Sequence, residues 1–554
     1  MATIWKPEPQ LLESLDAAVP DILASQKENG QFGTAPWIST DQNVMLALAA
    51  AWSWEQSSHY HSEAVLDAVV RGGDALIEAQ DDEGKFTFRK KDHSTWGQIL
   101  MPWIYSRWMR AYSLVGEAMP EDARRRWDDA LLLGFDGISR TALGHVHNIP
   151  THHAMGLYCA GTVFDREDWK AQSTAFMQQV VEAQSPHGWW PEHKGPVVSY
   201  NFVYSDGLGV YYAMSGDERV LEALERAARY HANFTYPDGS AAETVDGRNP
   251  YHGGVRLGNP GFSHSPIGRG YLAQQHALHL QAGESFTADY AAHLLLYGGE
   301  GEIEETAAAR ERHLYRMGDE AMTRRHRPWF FCLSAFVVEI PRNRWGQDRQ
   351  NFVSVFHDRT GLIVGGGNAK LQPLWSTFTV GDASLLAHTP GDQHPDFSPR
   401  EGLIHTPGSA SYRAGEDASD LTLNYGEETC TVTLVPRDET RMTLAFEATT
   451  NSGVPVEGHV TLIPHPGQAL RFASGGSVVL GEDAIERAAE DDGDWIEHAG
   501  WRLSLPQGAR VVWPAVPHNP YRKAGEATVE EALLVVVLPF SPAVARYELS
   551  LQVL

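Results

Sequence analysis

The sequence predicts an α+β multidomain chain: an N-terminal (α/α) toroid of helical hairpins followed by a C-terminal antiparallel β-sandwich. Three observations predict it. The chain has 554 residues, more than one hydrophobic core usually serves. Apolar residues recur at helical steps through roughly the first 300 residues and change to period two, with β-branched runs, from Trp329. A glycine-containing motif repeats through the helical part. QKENGQF at 26–32 matches QDDEGKF at 80–86 and QSPHGWW at 184–190, and YPDGS at 236–240 is a degenerate fourth copy. Gln26 and Gln80 are 54 residues apart and Gln184 follows 104 further on, near twice that step. A period of about fifty residues fits two helices and their connections, and hairpins stacked at a regular period close into a toroid or extend as a solenoid.

Helical periodicity covers 9–25, 42–55, 62–79, 95–115, 121–134, 151–162, 167–183, 199–214, 217–233, 267–281 and 286–298. Each full copy of the motif follows a helix end, where glycine adopts a left-handed C-cap. The charged, apolar-poor segment 301–328 reads as the last helix and a linker. The expected boundaries are therefore 1–315 for the toroid, 316–328 for the linker and 329–554 for the sandwich. Strands are expected at 330–340, 351–357, 361–366, 373–380, 429–436, 441–449, 457–464, 509–513, 531–540 and 544–553, separated by turn residues with no long helix between them. The acidic run 482–494 reads as an exposed loop.

The formal charge of −27 argues against nucleic acid and anionic membrane as partners. It does not exclude an acidic polymer, because a local cluster of Arg, His and Asn binds carboxylates inside an acidic protein. Cys159, Cys332 and Cys430 have no short spacing, which suggests buried free thiols rather than a disulfide framework or a zinc knuckle. The N-terminal residues lack a basic region followed by an apolar one, and no stretch approaches 18 uninterrupted apolar residues. The expected location is cytoplasmic as the sequence stands, or periplasmic or secreted if a signal peptide has been removed.

Proton-handling side chains crowd one stretch, His145 to Asp206, which holds six histidines, a Trp pair and two tyrosines four apart. In HVHNIPTHH (145–153), Pro150 suits the first turn of a helix. That places Asn148 in the loop ahead, with His152 and His153 in the first turn. A helix N-terminus offers free N–H groups and a positive dipole end, so these side chains suit a carboxylate. A metal site built from the same imidazoles is the competing reading, without an HExxH pattern to support it. Further on come Trp189, Trp190, Glu192 and His193, then Tyr200 and Tyr204, which share a helix face at i, i+4. A phenol serves as base and acid in one cycle if a nearby cation lowers its pKa. The Gly-rich stretch 237–254 carries Arg248, a bidentate carboxylate partner, and His252. The bland alternatives are a polar helix entry, core aromatics with polar tips, and a surface loop with one salt bridge.

This arrangement resembles the polysaccharide lyases with an α/α toroid and a C-terminal antiparallel β-sandwich, the heparinase II/III-like and related alginate lyase groups. The resemblance covers the whole chain in architecture and rests in motif on Asn148 with His152/His153 and on the Tyr200–Tyr204 helix. It implies β-elimination on a uronate-containing polysaccharide or oligosaccharide. Asn148 and His152 or His153 would neutralise the C5 carboxylate and Tyr200 or Tyr204 would exchange protons. Trp189, Trp190, Glu192, His193, Arg248 and His252 would bind substrate. That family usually places Asn and His adjacent, whereas His147 precedes Asn148 in this chain and the better-placed imidazoles lie four and five residues on. Its sandwich often holds zinc. His357, His388, His394 and His405 are the candidate ligands, but HTPGDQHPDF (388–397) lacks a ligand pattern, so no cofactor is required and no structural divalent metal is assigned. Two rival functions stand beside this one. A glycoside hydrolase on the same toroid would use two of Glu192, Asp206, Glu243 and Asp246, and a non-catalytic protein would only bind carbohydrate.

Overall fold

The structure, a computed structural model, describes residues 4–192, 194–389 and 391–554. It divides into two compact units. The first comprises Met1–Trp190, Ser199–Tyr230 and Leu257–Glu304; the second comprises Pro191–Val198, His231–Arg256 and Glu305–Leu554. Two short segments that the sequence pattern assigns to the toroid thus pack with the strand-rich unit.

The first unit is a helical toroid. Its helices are α1 (Glu8–Ala24), α2 (Val44–Ser53), α3 (Glu63–Ala79), α4 (Pro102–Val115), α5 (Glu121–Thr141), α6 (Asn148–Val163), α7 (Glu167–Glu182), α8 (Val198–Ser215), α9 (Leu221–Asn233), α10 (Pro266–Gln281) and α11 (Ala288–Tyr297). Two kinds of helix alternate. Helices α2, α4 and α6 are buried nearly all round, whereas α3, α5 and α7 bury one stripe and show charged residues on the other. Sequence dictates this: α2 reads VMLALAAAWS with no charge, and α5 reads EDARRRWDDALLLGFDGISRT with apolar positions at helical spacing. Helix α2 packs against α4, α4 against α6, α3 against α5, and α1 and α2 against α11. The first strand, Ile4–Trp5, pairs antiparallel with Gly301–Glu302.

The repeated motif sets the step between hairpins. In all four copies the same turn forms: Lys27, Asp81, Ser185 and Tyr236 each donate an N–H to the carbonyl four residues on and accept from the glycine three residues on. The glycines have φ of 82°, 78°, 91° and 85°. In the three full copies the glutamine amide reaches the next helix of the outer layer. Gln26 donates to Ala68 O on α3 at 2.8 Å, Gln80 to Ala130 O on α5 at 2.9 Å and Gln184 to Ala223 O on α9 at 2.8 Å. A Cβ on Gly30 would lie 2.1 Å from Arg71 O, and one on Gly188 would lie 2.0 Å from Arg226 O. Only a glycine lets the turn sit this close.

The second unit is an antiparallel β-sandwich. Among the described residues, one sheet has eleven strands, including Trp329–Ser334, Val353–His357, Val456–Leu462 and Leu533–Phe540, and the other has nine, including Ser419–Tyr425, Glu428–Pro436, Arg441–Ala448 and Arg546–Val553. Strict alternation in SDLTLNY puts Leu421 and Leu423 inward against Phe331, Leu333 and Val460 of the facing sheet. Cys159, Cys332 and Cys430 are buried free thiols. Among the described residues no helix is long and apolar enough to cross a membrane.

Several elements differ from the sequence reading. Strands Ser409–Ala414, Ser419–Tyr425, Ala469–Phe472, Ser477–Val479, Trp495–His498 and Trp501–Ser504 lie where it expects none. Segment 95–115 is not one helix: Phe86–Arg89 and Thr95–Ile99 form a hairpin, and α4 starts at Pro102, which cannot continue a helix from upstream but fits a first turn. Residues 316–328 are no linker. Arg312–Met317 and Ala321–His326 pair as a hairpin, and their charged outward residues hide a period-two pattern. The acidic 482–494 run contains strand Ile485–Ala488 and a helical turn, Ala489–Asp492. Asn148 is the first residue of α6, with His147 as extended N-cap, rather than a residue of the loop ahead.

Gly188→Ala adds both left-handed strain and a backbone clash, whereas Gly216→Ala (φ 66°, open space) adds strain alone. The expected loss of stability is about 1 kcal/mol for Gly216→Ala and at least about 3 kcal/mol for Gly188→Ala, read from urea midpoints.

Candidate active site

The first unit gathers its polar groups on α4, α6, α8 and α11. Pro150 holds the first turn of α6, and Thr151 caps back through N–H and hydroxyl to His147 O at 3.1 and 2.8 Å. Asn148, His152 and His153 are all buried there. The His152 ring meets the edge of Trp103 from the first turn of α4 at 4.6 Å, and its Nε2 lies 3.5 Å from the Asp206 carboxylate on α8. Its Nδ1 has no hydrogen-bond partner among the described residues. Burial drives the His152 pKa down to about 3; Asp206 opposes that, and Arg107, Arg110 and His293 add to it. The imidazole is therefore neutral at pH 7. Arg107 makes a bidentate pair with Asp289 at 2.7 and 2.6 Å. Burial would raise the pKa of Asp289, but His293 and Arg107 hold it well below the usual carboxylate range.

His153 points elsewhere. It is buried, its pKa is lowered to about 4 by burial, and its hydrogen bond is to the backbone of Leu100. Of the two tyrosines, Tyr204 is 2% exposed and stacks on Trp190 with centroids 5.1 Å apart, inside a core with Met155, Phe176 and Leu208. Trp190 is 1% exposed and donates its indole N–H to Val180 O. Trp190 and Tyr204 are thus packing residues by position. Trp189 is also buried, while Tyr200, in the first turn of α8, keeps a half-buried side chain.

The second unit carries the remaining residues. Asp246 is buried and organises its loop, accepting from the N–H groups of Val198, Arg248 and Asn249 at 2.9, 2.8 and 2.8 Å. Arg248 Nε donates to the Tyr521 hydroxyl at 3.0 Å, and its Nη1 lies 4.0 Å from the buried Glu192. His252 is exposed, and His193 lies outside the described residues. Glu243 is buried, bonded to the Tyr236 hydroxyl and to Gly366 N–H at 2.9 Å each, with its pKa raised by burial to about 7. Glu243 and Asp246 are committed to internal hydrogen bonds, which removes both from a solvent-facing hydrolytic carboxylate pair.

The sandwich histidines do not make a metal-ligand set. His357 Nε2 faces Glu439 O at 2.9 Å, and His394 is exposed. His405 Nε2 lies 3.0 Å from one oxygen of Asp348, while the Lys370 ammonium binds the other at 2.8 Å, so a protein cation already neutralises this carboxylate. His388 packs on His518. Among the described residues no group of three His, Cys, Asp or Glu side chains is placed to hold a metal ion.

The fold has solved relatives. The chondroitin AC lyase of Streptomyces coelicolor A3, solved as a point mutant, aligns over 99% of this chain and 80% of its own at 14% identity, TM-score 0.52. Heparinase III aligns over 98% and 85% at 11% identity, TM-score 0.55. A Paenibacillus xanthan lyase aligns over 99% of this chain and 57% of its own at 12% identity, TM-score 0.56. The chain shares the polysaccharide lyase fold. At these identities the likeness is one of fold, and the lyase fold joins a helical toroid to a β-sandwich, as the sequence analysis expects. No protein-family model matches the chain and no curated protein matches it in sequence.

Sequence reasoning missed Trp103 and Arg107. Their signal was present, an i, i+4 pair after Pro102 on one helix face, but the expected helix from 95 obscured it. Because His152 and His153 are buried and neutral, the unfolded chain binds protons below pH 6.5 that the folded chain refuses until its much lower pKa. Stability is therefore fully present above pH 6.5 and falls as pH drops, by about 1.4 kcal/mol per pH unit per histidine. His153→Gln keeps a donor for Leu100 and removes one titration. Its melting temperature should fall less steeply than that of the wild type between pH 7 and pH 5.

Proposed function

We propose that the protein is a polysaccharide lyase that cleaves a uronate-containing polymer or oligosaccharide by β-elimination. The observation that carries this is the His152–Asp206 contact beside Asn148 at the N-terminal end of α6, in a chain with the fold of lyases. Removing the C5 proton of a uronate moves charge onto its carboxylate, so donors aimed at that group lower the barrier, typically by a few kcal/mol each. Asn148 supplies a neutral amide donor. His152 is neutral in the free site, and a second carboxylate arriving beside Asp206 favours its protonated form, which then offsets the enolate-like charge. Tyr200, as the phenolate, removes the C5 proton and passes it to the departing glycosidic oxygen, which restores the phenolate. The C4–O bond breaks, a C4–C5 double bond forms, and no water is consumed.

Burial supports Tyr200 over Tyr204, and the Asp206 contact supports His152 over His153. On a panel of alginate, glucuronan, heparan, hyaluronan and ulvan, one polymer should yield the ultraviolet absorbance of an unsaturated sugar. On that polymer, Tyr200→Phe should lower kcat by about 100-fold or more, and Tyr204→Phe should stay within about threefold. Full activity in Tyr200→Phe would remove Tyr200 from the proton transfer.

A further inference from the structure

The strand-rich unit exposes an aromatic pair that the site above does not use. Trp345 is 36% exposed and Tyr521 57% exposed, with ring centroids 5.6 Å apart. Single exposed rings are ordinary, but adjacent exposed rings rimmed by polar groups mark a binding surface. The loops of Trp345 and Tyr521 are fixed. Asn343 Oδ1 accepts the N–H groups of Trp345 and Gly346 at 2.9 and 3.0 Å, and Asn519 Oδ1 accepts that of Tyr521 at 2.8 Å. Asn519 in turn donates to Glu531 at 2.6 Å. Arg344 donates to Arg522 O, which ties the 343–346 loop to the 518–525 loop, and the Arg248–Tyr521 bond ties in the 246–249 loop.

The same spot is cationic in a chain of net charge −27. The guanidinium groups of Arg344 and Arg248 lie 5.4 and 5.6 Å from the Trp345 ring, and Arg522 and Lys523 are exposed beside Tyr521 in the chain. Two carboxylates temper this: Glu192 lies 4.0 Å from Arg248, and Glu531 lies 3.6 Å from Arg522. Aromatic faces take up the C–H face of a sugar ring, and guanidinium forks pair with carboxylates. A neutral apolar partner would leave the arginines unused, and the overall charge opposes a nucleic acid.

We infer that Trp345, Tyr521, Arg344 and Arg248 form a binding subsite for an acidic sugar unit, the sugar packing against the exposed part of the tilted aromatic pair and its carboxylate meeting the arginines that sit over the rings. The choice of a uronate as the acidic sugar rests on the lyase reading. Three fixed loops present the groups with little left to order on binding, which favours affinity.

The test is a fluorescence titration of the full chain with a mannuronate hexasaccharide and a glucuronate hexasaccharide, with cellohexaose as the uncharged control. The absorbance of the same samples is followed for cleavage. Tyr521→Ala, Trp345→Ala and Arg344→Gln should each raise Kd for a uronate hexasaccharide by about tenfold, and cellohexaose should bind more weakly than either. Trp345→Phe, which keeps an aromatic ring and leaves the loop hydrogen bonds in place, should stay within about threefold and guards against loss of fold. Wild-type chain that binds neither uronate hexasaccharide, or a Trp345→Ala/Tyr521→Ala chain with unchanged melting temperature and unchanged Kd, would overturn the subsite. Cleavage with unchanged Kd in that double variant would sink the subsite and leave the lyase reading standing. Binding that depends on these residues without any cleavage would do the reverse.

Discussion

The toroid depends on one close contact, made three times. A turn ending in a left-handed glycine presses against the backbone of the next outer helix, and the glutamine before it donates to a carbonyl of that helix. Helix propensity and apolar stripes alone would allow the hairpins to slide past one another. The contact fixes their step, because glycine alone has room there and the amide has one carbonyl to reach. With the step fixed, the inner helices α4 and α6 stand side by side, and Trp103 of one meets His152 of the other.

A second constraint follows. Inner helices buried on all sides are expected to be apolar, and most of α2 is. Yet α4, α6, α8 and α11 place Arg107, His152, Asp206 and His293 together at low exposure, with a half-exposed Asp289 beside them. Burying charge is costly unless it is paired, and the Arg107–Asp289 fork meets that requirement. His152 meets it by remaining neutral. A neutral imidazole between a carboxylate and two arginines is sensitive to any new charge, which suits the role proposed for His152.

Much of this was legible in the sequence. The turn repeat marked the hairpin period because its chemistry, Gln then Gly four residues on, is local and strict. The helices were legible because apolar spacing is a short-range property. Asn148, His152 and Tyr200 were legible as candidates, but the choice between His152 and His153, or Tyr200 and Tyr204, was not. Adjacent residues on a helix point about 100° apart, and only tertiary neighbours decide which one meets Asp206 and which meets Leu100. Trp190 shows the same limit: a Trp pair looks like a sugar platform until Val180 and Tyr204 enclose it. The 301–328 segment hid its strands because outward charges outnumber inward apolar residues, and Trp345 and Tyr521 become neighbours only through loops far apart in the chain.

The central claim is elimination without water, and the most direct measurement is the mass of the products formed in heavy-oxygen water. Elimination predicts unsaturated products that are lighter by one water than hydrolysis products and carry no heavy oxygen at the cleaved bond. Saturated products with one heavy oxygen per cut would contradict it and point to hydrolysis.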